Sequence, residues 1–440
     1  MKNYLTRGEF LKLAIVAGLA PFVPLARKPS PTAREWIVTG LEVPELAVFD
    51  DTMRDFMQAR TIPGAALAVT RNGKLVLARG YTFAEHIWDI IVQPVSMFRI
   101  ASISKPLTAV AILRLAQEGL LDLQSPVTDL LTLTPPPGET ADPRLGEVTV
   151  INLLQHLGGW NRNFSFDPMF FDHNIVTDLG VSYPISQADI ITYTTGKPLQ
   201  HNPGSTYAYS NYGYCLLGRI IEALTGETYA GYISRAVFRP LDLSRPRLGR
   251  TLIDYRLPDE VMYHTQYVAK TVMDDSGEYV SWAYGGFNLE NMDSHGGWLA
   301  SAVDLARFAC AFDNPASSPL LSQASIDFMF GLPENIDPGS YIPGDWYYGC
   351  GWACRDWGNG VRNTWHDGSL DGTHTLLVRR NDGLNWCVLF NQRDDPSGLS
   401  YWEIDGLLHT AADAVTSWPD HDLFEAYLFD EKSYLPLIRK

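Results

Sequence analysis

The sequence predicts an α+β fold, an antiparallel sheet flanked by helices with a helical second lobe. Three observations carry that prediction. A hairpin pattern near the N-terminal end, GAALAVTRNGKLVLARGY (64–81), turns on Asn72-Gly73. A second near the C-terminal end, HTLLVRRNDGLNWCVLFNQR (374–393), turns on Asn381-Asp382-Gly383. Such residues supply the positive φ that tight hairpins need. Between the two hairpins helical periodicity dominates, and strands gathered from both ends around a helical middle are the pattern of an α+β chain.

The elements follow in order. Residues 44–60 place Leu46, Phe49, Met53 and Phe56 on one helical face. The first hairpin follows, and then a helix over 102–118. Pro135, Pro136 and Pro137 break the chain, and TVINLLQHLGG (149–159) restarts a helix ending at paired glycines. The stretch 160–205 is mixed and aromatic, while NYGYCLLGRIIEALTG (211–226) is amphipathic with Gly226 as its stop. TYAGYISRAVFRPL reads as a further helix. GGWLASAVDLARFACAF (296–312) reads as a turn feeding a helix, with Ser301 and Asp304 an imperfect capping box. EIDGLLHTAADAVTSW closes the chain as a helix.

At 440 residues and 46% hydrophobic, the chain can bury a sizeable core, and 12 Trp with 21 Tyr at 19% charged residues exclude a disordered polypeptide. A formal net charge of −16 without a basic run argues against a nucleic-acid partner. The five cysteines, odd in number and without paired spacing, form neither a disulfide framework nor a zinc motif. Lys2, Arg7 and Lys12 precede an apolar stretch from Leu13 to Leu25, too short for an ordinary membrane span. Residues 1–34 therefore read as an export signal and linker, giving an exported protein with no stable membrane span after signal removal. TRGEFLK is similar to a twin-arginine signal, with Gly8 where the second arginine belongs. The mature domain is expected over 35–440, with the helical lobe inserted over roughly 120–300.

Three stretches carry chemistry. In FRIASISKPLTAVAILRL (98–115), Ser102 and Lys105 stand three apart at the head of an apolar segment. That spacing puts both on one helical face, and a lysine whose pKa falls below about 10.4 can take a serine proton. The pair fits an N-cap followed by a solvated lysine equally well, so spacing alone leaves both readings open. YAYSNYGY presents Tyr209 and Asn211 one residue apart, a phenol able to move a proton and an amide able to hold an ammonium or a carbonyl. TWHDGSLDG places His366, Gly368 and Ser369 just before the second hairpin, where glycine lets a substrate lie against backbone.

In this order the three motifs resemble the penicillin-recognising serine hydrolases, in the branch of class C β-lactamases, DD-peptidases and related esterases. FRIASISK, LLQHLGG, NPGSTYAYSNYGYCLLGRIIE and GGWLASAVDLARF extend the resemblance over roughly residues 45–410. It implies a β-lactamase/transpeptidase-like fold and double displacement through an acyl-enzyme on Ser102, with no metal or cofactor. Lys105 would assist deprotonation. Tyr209 would shuttle the proton to the leaving group and later serve as base for water. Asn211 would orient substrate and Lys105. His366 would position substrate or polarise Tyr209, Gly368 would let substrate lie along the strand, and the N–H groups of Ser102 and Ser369 would form the oxyanion hole.

Two departures bear on substrate. Leu157-Gly158-Gly159-Trp160 replaces the usual His-Thr-Ser-Gly text, expected near the cleft wall. His366 stands where Lys is common, and a histidine with a free pKa of about 6.5 grips a carboxylate less well. The expected substrate is a small acyl compound (ester, lactone, amide or lactam), and the expected activity is that of an esterase or D-amino-acid peptidase or amidase. The alternatives are a cell-wall DD-carboxypeptidase or penicillin-binding protein, a β-lactamase, or a non-catalytic binding module on the same fold.

Overall fold

The computed structural model describes residues 36–84, 90–164 and 166–428. Contacts divide the chain into Met1–Arg34 and Glu35–Lys440. The first unit, with the expected export segment, lies outside the described residues.

From the N-terminal side come β1 (Trp36–Thr39), α1 (Ala47–Ala59), β2 (Gly64–Arg71), β3 (Lys74–Phe83), β4 (Phe98–Arg99) and α2 (Ser104–Gln117). The middle carries α3 (Val127–Leu130), α4 (Val150–Leu154), α5 (Asp172–Leu179), α6 (Gln187–Thr195), α7 (Asn211–Thr225) and α8 (Tyr229–Ile233). Short strands β5 (Arg247–Leu248), β6 (Val268–Lys270), β7 (Tyr279–Ser281) and β8 (Trp298–Ala300) lead to α9 (Ala302–Cys310) and α10 (Gln323–Met329). Then follow β9 (Trp346–Tyr348), β10 (Ala353–Asp356), β11 (Arg362–Leu370), β12 (Thr373–Arg379), β13 (Leu384–Phe390), α11 (Glu403–Ala414) and α12 (Phe424–Leu428).

The main sheet runs β1-β3-β2-β13-β12-β11-β10-β9, every pair antiparallel. Both expected hairpins form, and they join edge to edge through β2 and β13, with Ala68 opposite Cys387. Alternation along these strands sorts side chains to two faces. Leu67, Val69, Trp386 and Val388 pack with Phe49, Met53 and Phe56 of α1 and Ile404 and Leu408 of α11. Ala66, Ala68, Cys387 and Leu389 join the larger core containing α2, α7 and α9. Burying each of the α1 side chains contributes about 2 kcal/mol. All five cysteines are free thiols. No helix among the described residues is long and apolar enough to cross a membrane.

Helix α2 is buried almost all round, which is why its sequence is an apolar run and not a stripe. Pro106 is tolerated because it lies in the first turn, where its missing N–H has no intrahelical partner. The helix does not begin at Ser102 as its periodicity suggests. Ala101–Ile103 form a separate 3-10 turn, and Ala101 takes φ +47°. A left-handed alanine costs of order 1 kcal/mol and persists only under surrounding packing.

Three further expectations change. The helix expected over 149–159 stops at Leu154, because His156 takes φ +58° and turns the chain. Ser301 and Asp304 form a complete capping box: Ser301 Oγ accepts from the Asp304 N–H at 3.1 Å and Asp304 Oδ2 accepts from the Ser301 N–H at 3.0 Å. The mixed stretch 160–205 holds α5 and α6, the latter with its own capping box from Ser186 and Asp189.

Candidate active site

The turn carrying Ser102 is held from below by the sheet. Thr373 Oγ1 on β12 donates to Arg99 O at 3.0 Å, and Thr375 Oγ1 donates to Ile100 O at 3.0 Å. On β11, Gly368 lies flat against the same turn. A Cβ there would stand 2.3 Å from Thr375 Oγ1, 2.4 Å from Ile100 O and 3.0 Å from the Ala101 Cβ. Only glycine lets β11 come this close. Gly368→Ala is expected to push the strand and the turn apart. The protein would lose about 2 kcal/mol of stability, read by thermal unfolding.

Lys105 rises from the first turn of α2 into the space beside Ser102 and is fully buried. Its Nζ lies 3.0 Å from Ser102 Oγ, 2.8 Å from Asn211 Oδ1 and 2.9 Å from the His295 carbonyl oxygen. Asn211 opens α7, whose N-cap Ser210 accepts from the Gly213 N–H at 3.1 Å. The orientation of its amide follows from a further contact: Asn211 Nδ2 donates to Asp167 Oδ2 at 2.7 Å. The oxygen therefore faces Lys105. Two of the three Nζ partners are then carbonyl oxygens, which only accept. Ser102 is the one partner with a proton to give. As an ammonium, Lys105 donates to all three partners; once neutral, it satisfies both carbonyls with its two N–H groups and turns its lone pair on the serine hydroxyl. Burial lowers the Lys105 pKa well below its usual value, and the nearby Arg162 lowers it further, against Asp167 and Asp367.

Tyr209 lies beside the pair. Its ring centroid is 4.7 Å from Lys105 Nζ, 4.6 Å from the Arg162 guanidinium carbon and 4.3 Å from the His156 ring. Burial, with the Asp367 charge behind it, raises its pKa well above 10, while the hydrogen bond with Ser102 opposes that rise. The group is thus a protonated phenol within reach of the serine.

His366 is buried on β11. Its Nδ1 lies 2.6 Å from the Asp367 carbonyl and its Nε2 2.8 Å from Tyr348 Oη. A carbonyl only accepts, so Nδ1 carries the proton and Nε2 takes one from the Tyr348 hydroxyl. Burial, then Lys105, push its pKa down to about 3, so the imidazole is neutral. Both nitrogens are occupied, and the ring stands 6.5 Å from that of Tyr209. Its hydrogen bonds go to Tyr348 and the strand, not to Tyr209.

Ser102, Tyr209, Asn211, His366 and Ser369 line one cleft of about 770 Å³, rimmed by Phe170, Tyr207, Trp346, Trp365 and Trp402. Phe170 and Arg162 bring the aromatic stretch 158–171 to this cleft. Leu157–Trp160 are not among its lining residues, contrary to expectation. Trp160 turns inward against Tyr212, with ring centroids 4.9 Å apart.

Sequence reasoning missed Asp167, the His295 carbonyl, Tyr348 and the place of His156 behind Tyr209. Asp167 carried one local signal: it precedes Pro168 and caps the following 3-10 turn by accepting from the Met169 N–H at 3.2 Å.

A half-buried serine and a buried lysine, completed by a tyrosine and an asparagine from a helical lobe and set against an antiparallel strand, define a class. The beta-lactamase family profile matches residues 49–409, and the chain belongs to that family. Among individual proteins, Protein flp of Staphylococcus aureus is 29% identical over 203 residues, 46% of this chain and only 38% of that protein's length. Penicillin-binding protein 4 of Amycolatopsis lactamdurans is 29% identical over 329 residues, 72% of this chain and 77% of its own. The D-amino acid amidase of Ochrobactrum anthropi SV3 shares the fold at a TM-score of 0.61, with 20% identity over 84% of this chain and 98% of its own.

Proposed function

We propose that this protein is a catalytically competent serine hydrolase acting through an acyl-enzyme on Ser102, of the esterase or D-amino-acid amidase/peptidase type. The observation that carries the reading is the placement of Lys105, buried beside the nucleophile with its Nζ 3.0 Å from Ser102 Oγ and anchored by two carbonyl oxygens. Ser102 Oγ attacks the acyl carbon while its proton passes to Lys105 Nζ. The developing oxyanion is received by the N–H groups of Ser102 and Ser369. Tyr209, held as a phenol, gives its proton to the leaving group and recovers one from Lys105. Water then attacks the ester on Ser102, its proton relayed through Tyr209 to Lys105, and Lys105 returns that proton to Ser102 Oγ as the acyl–oxygen bond breaks and the acid product leaves. Because the phenol stays protonated at rest, Tyr209 acts on water as a relay and not as a standing phenolate.

The neutral state of His366 favours esters and amides over β-lactams, because at that place it supplies no positive charge for a carboxylate. The name of the Amycolatopsis relative, a penicillin-binding protein, favours a cell-wall DD-carboxypeptidase or penicillin-binding protein as the second reading. A panel of p-nitrophenyl acetate, a D-amino-acid p-nitroanilide, nitrocefin and a D-Ala-D-Ala peptide separates them. The expected result is turnover of the first two, with nitrocefin slower by about a hundredfold or more in kcat/KM. Preferred cleavage of the D-Ala-D-Ala peptide would install the second reading. Turnover of none would favour a binding module.

A further inference from the structure

We infer that Asp367 is a specificity-determining residue whose carboxylate receives a substrate ammonium beside the scissile acyl group, selecting amides and esters of amino acids with a free amino group. The inference rests on the serine-hydrolase reading above and adds to it a recognition element. Asp367 sits on β11 between His366 and Gly368. Gly368 is pressed on the turn that carries Ser102, so this carboxylate is one residue from the part of the strand nearest the nucleophile. It lines the same cleft as Ser102. Among the described residues no ion pair or side-chain hydrogen bond reaches it, and its one hydrogen-bonding contact is with its own backbone N–H.

The other cleft charges are already spent or lie outside. Arg162 is 3.6 Å from Asp167, with its guanidinium over Tyr209. Arg393 is paired with Asp371 at 2.8 Å and with Asp394 at 3.1 Å. Arg355 is exposed, with its guanidinium 5.6 Å from the Trp365 ring centroid, where water screens its charge. A desolvated carboxylate without a counter-charge is costly, and a cation bound beside it removes that cost. An anionic substituent in the same place would meet repulsion.

Burial lifts the Asp367 carboxyl to about 6, with Asp405 adding to the rise and Lys105 and Arg162 opposing it. Tyr207 and Tyr209, also facing it, stay protonated, and His366 is neutral. The carboxylate is therefore charged above about pH 6, so the preference for an amine is present there and is lost on acidification.

The test reads binding and turnover separately in the full chain. In a Ser102→Ala background, calorimetry compares D-phenylalaninamide with its N-acetyl derivative at about pH 7.5. The amine is expected to bind at least about tenfold tighter. That difference should fall toward one when Asp367→Asn is added, with Asp367→Ser as a second variant, and toward one at about pH 5. Equal affinities, tighter binding of the acetylated compound, or no binding of either overturns the assignment. With Ser102 intact, the ratio of kcat/KM for free-amine over N-succinyl p-nitroanilides should collapse in Asp367→Asn. A purely structural role would lower both substrates together, and an unchanged ratio overturns the proposal. If the intact protein turns over no acyl substrate, the hydrolase reading fails, and the calorimetric comparison still decides Asp367.

Discussion

Ser102→Ala is expected to lower ester and amide turnover by at least about ten-thousandfold, to the level of whatever the remaining cleft does unaided. The two serines of SISK make the expectation specific. Ser104 is fully buried, and its Oγ accepts from the Trp298 N–H at 3.4 Å, so it serves the packing of α2 against β8. Ser102 alone stands in the cleft with its oxygen 3.0 Å from Lys105 Nζ. Ser104→Ala is accordingly expected to keep activity within about threefold of the parent, while its thermal midpoint falls by a few degrees. Ser102→Ala should leave the midpoint nearly unmoved, since its hydroxyl supports no packing and Lys105 keeps both carbonyl partners. A Ser102→Ala protein with full activity would remove the nucleophile from this account.

The second large effect concerns the base. Lys105→Met leaves Asn211 Oδ1 and the His295 carbonyl without this donor and Ser102 without a proton acceptor, and is expected to slow acylation by about a thousandfold or more. Lys105→Arg separates the two roles. An arginine can donate to both carbonyls, but it is not deprotonated in a protein. If Lys105 acts as a base, Lys105→Arg is as inactive as Lys105→Met. If it serves only as a donor that holds Asn211 and the His295 carbonyl in place, Lys105→Arg recovers much of the activity.

The pH dependence has a fixed sign. The folded protein lowers the Lys105 pKa, and the neutral amine is the working form. Activity therefore rises with pH as the Lys105 ammonium loses its proton, while Tyr209 stays a protonated phenol along that limb. The limb should vanish in both variants. Stability carries the same sign in another form. A lysine whose folded pKa lies below its unfolded value of about 10.4 costs stability that builds up as pH falls from about 10.4 to the folded pKa and is constant below it. Lys105→Met should flatten the plot of thermal midpoint against pH between those two values.

These residues differed in how far the sequence revealed them. Ser102 with Lys105, Tyr209 with Asn211, and His366 with Gly368 lie at short spacings, each pair within one continuous stretch of a few residues, so a linear reading can find them. The hairpins around Asn72-Gly73 and around Gly383 were legible for the same reason, since turn chemistry is local. Asp167 and Tyr348 were not, because what they do depends on chain that is distant in sequence. Asp167 fixes the amide of Asn211, 44 residues on, and Tyr348 hydrogen-bonds His366 from the neighbouring edge of the sheet. The His295 contribution is a backbone carbonyl, which no side-chain pattern can announce. Strands β9 and β10 were missed for a related reason: they are three and four residues long, at the sheet edge among glycines, and only the pairing of β10 with β11 and of β9 with β10 gives them identity. Ala101 and His156 show the limit of periodicity. Both stand in apolar, helix-like text, and both adopt positive φ because packing on the sheet and under Tyr209 overrides local preference.

Covalent trapping decides whether Ser102 becomes acylated with Lys105 as its base. The protein is mixed with p-nitrophenyl butyrate, quenched in acid during turnover, and read by intact mass and peptide mapping. A mass increase of one butyryl group is expected on Ser102, absent in Ser102→Ala and formed far more slowly in Lys105→Arg. An adduct on another residue, or turnover that continues with Ser102 never modified, would rule out Ser102 as the nucleophile.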